Sequence, residues 1–180
     1  MPARVVALSM AVAVAASGAT SAQEAAGPGS SLSPTAIVLL DSTGKIAARA
    51  LNETIMLVTL ASGVVAPASI RPVYDARGRA VSGLAMWQSG GSVLFTSSDC
   101  SLDAYVYSLP QAGVRAAAQV QTPAGIVLYV GAIGSADTVV VRSILYDNGC
   151  AQVTVRQDGL HPVVATVNLT ADYPAPLSLR

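Results

Sequence analysis

The sequence predicts an all-β fold, an antiparallel β-sandwich or small barrel with one disulfide, and three observations carry that expectation. Short runs rich in Val, Ile, Thr and Tyr recur along the chain, separated by turn residues every several positions. Two of the separators, Asn148-Gly149 and Asp158-Gly159, tolerate the positive φ that two-residue hairpin loops require. The 180 residues are 52% apolar, enough for a sizeable core, and their wealth of small and β-branched side chains suits strands better than long helices.

The first segment reads as a targeting device. Arg4 supplies a positive start, Val5 to Ala16 is a mostly apolar run, and Thr20-Ser21-Ala22 offers a cleavage site before Gln23. That run is too short to span a bilayer. Residues 1–22 are therefore expected to be a secretory signal peptide, and the mature protein to be exported to the periplasm or outside the cell. Residues 23–34, rich in Gly, Ser, Ala and Pro, read as a flexible leader, and residues 35–180 as a single β-rich domain. No second apolar stretch of spanning length follows, so no membrane span is expected in the mature protein.

Within the domain, Asp41-Ser42-Thr43-Gly44 and Asp75-Ala76-Arg77-Gly78 are two Asp-x-x-Gly turns, each followed by a basic residue. An Asp opening a turn bonds the backbone ahead, and a Gly closing it takes the left-handed conformation of a bulge. Both predict hairpins. Between them Thr54 to Leu60 is a strand, Ala61-Ser62-Gly63 a turn, and Val64 to Arg71 an extended run whose Pro67, with Pro72 beyond, predicts an edge or a loop. Leu84 to Trp87 and Ser92 to Thr96 read as strands joined in a hairpin by Ser89-Gly90-Gly91. Ala104 to Tyr107 is a short strand. Val114 to Gln121 reads as a strand rather than a helix, and Ile126 to Val130 as a central strand. The tail ends in alternating leucines, Leu177 and Leu179, that suit docking on a sheet.

The stretch from Thr138 to Leu169 reads as a three-stranded meander turning at Asn148-Gly149 and at Asp158-Gly159. A period of two puts Val153, Val155, Val163, Ala165, Val167 and Leu169 on its buried face and Gln152, Arg156, Thr166 and Asn168 on the wetter one. The strands are too short, and the aromatics at 4% too few, for a transmembrane barrel with interfacial girdles.

Export makes the two cysteines legible. A lone pair in an oxidising compartment forms a disulfide, so Cys100 and Cys150 are expected to be bonded. Charge is sparse and balanced, with 10 basic and 10 acidic residues and Lys45 the single lysine. Such a chain has no footprint for nucleic acid or for an anionic membrane surface.

Few residues suggest chemistry. His161 is the single histidine and is expected at the surface beside the Asp158-Gly159 turn; no Gly-x-Ser-x-Gly elbow accompanies it. A Cys100–Cys150 bond brings Asp99 and Asp103 near Asp147 and Asn148, an oxygen-rich set that suggests calcium, although turn and cap formation is the simpler role for each. No other cofactor is expected. Tyr105 and Tyr107, two apart on one strand, with Trp87 and Phe95 nearby, suggest an aromatic platform for sugars or a partner protein, against the plainer reading that these rings fill a core short of large residues. Asn52-Glu53-Thr54 and Asn168-Leu169-Thr170 are formal glycosylation acceptors, expected to be unused because the Ala- and Arg-rich composition looks bacterial.

Four features carry a resemblance: Val73-x-Asp75-x-x-Gly78-Arg79-x-Val81; Phe95-x-Ser97-x-Asp99-Cys100 followed by Tyr105; the later Cys150; and the ending Pro174-x-Pro176-Leu177-Ser178-Leu179-Arg180. In these the chain resembles a family of small exported proteobacterial proteins with no assigned activity. The resemblance implies a signal peptide, a β-rich domain and a shared disulfide, and it implies no catalytic residues. The glycine that often follows the Asp-Cys pair in that family is replaced here by Ser101 and Leu102. The function expected is an exported non-catalytic module that binds or builds something at the cell envelope. The alternatives are a secreted hydrolase using carboxylates or His161, and a fibre subunit assembled through edge strands.

Overall fold

The computed structural model describes residues 37–107, 114–134 and 136–180; the expected signal peptide, the leader and the domain start at Thr35 lie outside them. The described residues form strands β1 (Val38–Leu40), β2 (Ile46–Ala50), β3 (Ile55–Thr59), β4 (Val65–Tyr74), β5 (Ala80–Trp87), β6 (Val93–Phe95) and β7 (Ala104–Tyr107). They continue as β8 (Ala117–Thr122), β9 (Gly125–Gly131), β10 (Asp137–Tyr146), β11 (Gly149–Asn168), helix α1 (Leu169–Asp172) and β12 (Leu177–Leu179). All strand pairings are antiparallel, in a closed barrel ordered β1-β12-β5-β4-β3-β2 and a six-stranded sheet ordered β10-β6-β7-β11-β9-β8. The all-β expectation holds.

One turn design builds most of the barrel. At Asp41–Lys45, Leu60–Val64 and Asp75–Arg79 the first residue's N–H donates to the fifth residue's carbonyl, and the fourth residue is a glycine in the left-handed region. This is a tight turn closed by a bulge, with a twist that matches paired strands. Asp41 Oδ1 accepts from the N–H groups of Thr43 and Lys45, and Asp75 Oδ1 from those of Arg77 and Arg79, all within 3.0 Å. The Thr43 hydroxyl holds the Asp41 carboxyl below its ordinary range, and the Arg79 N–H does the same for Asp75.

The prolines do not push β4 to an edge, as the sequence reading expects; β4 pairs with β3 on one side and β5 on the other. The register explains it. Ile70 N–H donates to the Thr54 carbonyl, so in the same ladder the Leu57↔Pro67 pair is a non-hydrogen-bonded one. Gln88 N–H donates to the Ser69 carbonyl, which makes Pro72↔Ala85 non-hydrogen-bonded in the β5 ladder. Each missing donor points where its own ladder needs none.

The second half departs from the expected meander. The hairpin at Asn148-Gly149 forms, with the left-handed φ at Gly149. At Asp158-Gly159 there is no turn: β11 runs on as one strand of 20 residues. Opposite Asp137 and Val139 it spans Leu160 to Gln157, one residue too many, and Gly159 at φ +77° absorbs the surplus as a bulge. The positive φ read from Asp-Gly is real, but here it bends a strand instead of reversing it. The N-terminal half of β11 pairs with β10, Leu160–Pro162 pair with β7, and Val163–Asn168 pair with β9.

Bulges and changing partners break the single buried face. Val153 packs in a small core with Leu94, Val141 and Leu160, and Val163 joins Val93, Phe95 and Val106. Ala165, Val167 and Leu169 reach the barrel core, while Val155 is exposed. Leu169 lies in α1 rather than in a strand, and Asn168 caps that helix by accepting from Ala171 N–H. Ser89-Gly90-Gly91 likewise makes no hairpin, since β5 belongs to the barrel and β6 to the other sheet; it is the crossover between them. Val114 to Gln121 is a strand over Ala117–Thr122, and β9 is central between β8 and β11.

The barrel interior is Leu39, Met56, Val58, Ile70, Trp87 and Leu177, with Ala47, Ala48, Ala66, Ala68 and Ala85 small enough to let so narrow a barrel close. Leu128 and Val130 of β9 join this core, so the second sheet is packed against the barrel. Trp87 Nε1 donates to the Tyr173 carbonyl at 3.1 Å, the two rings meet edge to face at 6.4 Å, and Lys45 Nζ sits 4.4 Å over the Tyr173 ring. The tail docks as expected and does more: β12 pairs with both β1 and β5 and closes the barrel. Leu177→Ala, at a site with no exposure, is expected to lower stability by about 2–5 kcal/mol in urea unfolding.

Candidate functional site

The predicted site residues fall into three separate places. The first is the disulfide. Cys100 and Cys150 are bonded, with their Cα atoms 6.1 Å apart. Cys100 adopts φ +57°, and its N–H donates to the buried Ser143 Oγ at 3.0 Å, which in turn donates to the Ser97 carbonyl at 2.6 Å. Ser97 Oγ accepts from the N–H groups of Ser101 and Leu102. Serines thus fill the hydrogen-bonding needs of the loop in which the glycine is missing.

The acids do not converge. Asp99 Oδ1 accepts from Ser101 Oγ at 2.5 Å, a bond that lowers its pKa, while Asp103 Oδ2 accepts from Thr96 Oγ1 at 3.1 Å. Asp147 faces the other way: Oδ2 accepts from Ser89 Oγ and Oδ1 from Gln121 N–H, both at 2.7 Å. Asn148 is exposed at the hairpin tip. Among the described residues no group of three or more His, Cys, Asp or Glu is placed to hold a metal ion. Asp99 and Asp103 bond within their own loop, whereas Asp147 bonds to residues 58 and 26 positions away. His161 is also not a turn residue: it stands in β11 opposite Val106, partly buried.

The aromatic residues separate as well. Trp87 is 3% exposed and Phe95 6%, both core residues, and Tyr105 packs against the small core of Leu94, Val141 and Leu160. Tyr107 alone of the proposed platform is well exposed, at 41%. It stands on the rim of a cleft of about 440 Å³ between the barrel and the second sheet.

This cleft is where the structure brings dissimilar elements together. Its walls are Ile55 of β3, Pro67 and Ser69 of β4, the crossover from Gln88 to Ser92, Tyr107 of β7, and Ala117 to Gln119 of β8. Gln119, though polar, is buried, and its amide clamps Ser69: Ser69 N–H donates to Oε1, and Nε2 donates to the Ser69 carbonyl at 3.1 Å. The Gln119 carbonyl accepts from Gly91 N–H at 2.9 Å. A Cβ on Gly91 would lie 2.9 Å from Gln119 N and 3.2 Å from Ala118 Cβ, so only glycine permits this approach. Asp147 then pins the crossover to β8 through Ser89 and Gln121. The walls are therefore tied at three points, and among the described residues no charged side chain lines them.

Sequence reading found Tyr107 but missed Gln119, Gly91 and the locking role of Asp147. Nothing local marks a glutamine whose partner lies 50 residues away. The Gly90-Gly91 pair was the one available signal, and its adjacent strands made a hairpin the natural inference. Replacing both cysteines, Cys100→Ala with Cys150→Ala, is expected to cost about 4 kcal/mol of stability in urea unfolding, from the 50-residue separation they close. Reduction of the wild-type protein should lower its unfolding midpoint in the same way.

Comparison of the chain with protein-family models, with curated proteins and with solved structures returns no match.

Proposed function

We propose that the protein is an exported, non-catalytic module that binds a component of the cell envelope or of the surroundings of the cell through the cleft between its barrel and its second sheet. One observation carries this reading: a concave site, of a volume typical of ligand sites, has walls fixed by three hydrogen-bonded ties and is bordered by an exposed aromatic ring. Rigid walls favour binding because little side-chain freedom is lost when a ligand enters. Export is supported by the apolar N-terminal run and by the Cys100–Cys150 disulfide. No helix among the described residues is long and apolar enough to cross a membrane.

A second reading, assembly into a fibre, is favoured by the β10–β11 ribbon. Among the described residues, Asp137–Arg142 pair only with β11 and Gly149–Gly159 only with β10, which leaves backbone on both outer edges without a strand partner. Light scattering distinguishes the two: a monomer at high concentration removes the fibre, and a ladder of oligomers supports it.

The binding reading is tested by co-sedimentation of the oxidised mature protein with cell envelopes and isolated peptidoglycan. Saturable binding that is competed by excess unlabelled protein is the expected result. Protein left wholly in the supernatant of both would overturn it.

A further inference from the structure

The chemistry of the cleft narrows what it can hold, given the reading of the protein as a binding module. Among the described residues its lining contains no Asp, Glu, Lys, Arg or His, so a phosphate or a carboxylate would be desolvated there without a counter-charge. The lining is instead rich in neutral hydroxyl and amide groups, from Ser69, Gln88, Ser89 and Ser92, set beside the apolar faces of Ile55 and Pro67. Tyr107 adds an exposed ring.

An extended peptide would need strand edges to bond with, and the edges bordering the cleft are already committed. The Ser69 N–H and carbonyl are both held by Gln119, and the carbonyl also accepts from Gln88 N–H. Pro67, on the same edge of β4, has no N–H to offer. On β8 the Gln119 carbonyl is taken by Gly91 and the Gln121 N–H by Asp147. Strand addition, which draws its affinity from main-chain bonds, is therefore poorly served here. What stays available is a set of uncharged side-chain donors and acceptors beside an aromatic face. That combination matches a ligand with many hydroxyls and flat apolar C–H faces.

We propose that the cleft binds a neutral saccharide chain, with a sugar ring stacked on Tyr107 and hydroxyls bonded to Ser69, Gln88 and Ser92. Calorimetric titration of the oxidised mature protein with chitotetraose, cellotetraose and maltotetraose tests this, alongside an uncharged tetra-alanine peptide blocked at both ends. At least one saccharide is expected to bind and the peptide not to. Tyr107→Ala should weaken that binding about tenfold, the loss of one stacking contact. Tyr107→Phe should retain most of it, and Tyr74→Ala, an exposed ring outside the cleft lining, should leave it unchanged.

Binding of the peptide alone, or saccharide binding indifferent to Tyr107→Ala, would overturn the proposal. So would no heat from any saccharide. If envelopes sediment the protein while no saccharide binds, the ligand class is wrong and the binding module stands; if neither binds, both fail.

Discussion

Unpaired strand edges are what this protein has to manage, and most of its particular features are ways of doing so. An edge strand leaves the N–H and carbonyl of every second residue without a ladder partner, and each must find another partner or water. The barrel removes its own edges by closing, and the closure depends on three residues from the end of the chain, Leu177–Leu179, placed between β1 and β5. Leu177 adds its side chain to the barrel core at the same point. The outer edge of β8 meets the same demand without a strand. Gly91 donates to Gln119, and the Asp147 carboxylate accepts from Gln121, so a glycine and a hairpin-tip acid act as partial strand partners.

The cleft follows from that arrangement. Where β5 ends and β4 continues, Gln119 reaches across from β8 and satisfies the backbone of Ser69 with its amide, as a strand would. An amide side chain can offer a donor and an acceptor together, which a hydroxyl or carboxylate cannot match at that spacing. The barrel is thereby tied to β8 beside the cleft, with the crossover and Tyr107 completing its lining. Burial of Gln119 without this pairing would be costly.

The disulfide works within the second sheet itself. It joins the start of β11 to the loop after β6, and Ser143 supports that loop from beneath. Asp99 and Asp103 are occupied within the loop, and Asp147 is drawn to the cleft, because turns and edges require acceptors at those positions. Acids that the disulfide suggests as neighbours are thus engaged by different partners.

Local chemistry determined a good deal from the sequence alone. The Asp-x-x-Gly turns, the Asn148-Gly149 hairpin, the strand character of Ala117–Thr122 and Ile126–Val130, the docking tail and the Cys100–Cys150 bond all rest on φ preference, period or pairing of the only two cysteines. These signals act over a few residues, or have a single partner available. Tertiary structure decided the rest. Whether the positive φ at Gly159 reverses a strand or bends it depends on a partner, β10, that is long enough to keep pairing. Whether Pro67 ends a strand depends on which ladder its nitrogen faces. Trp87 became core because Tyr173, far along the chain, supplies the acceptor its indole needs, and Tyr107 stayed outside because β7 ends at the cleft rim. In each case the residue's local options were visible, and the contact that chose among them lay too distant in sequence to be read.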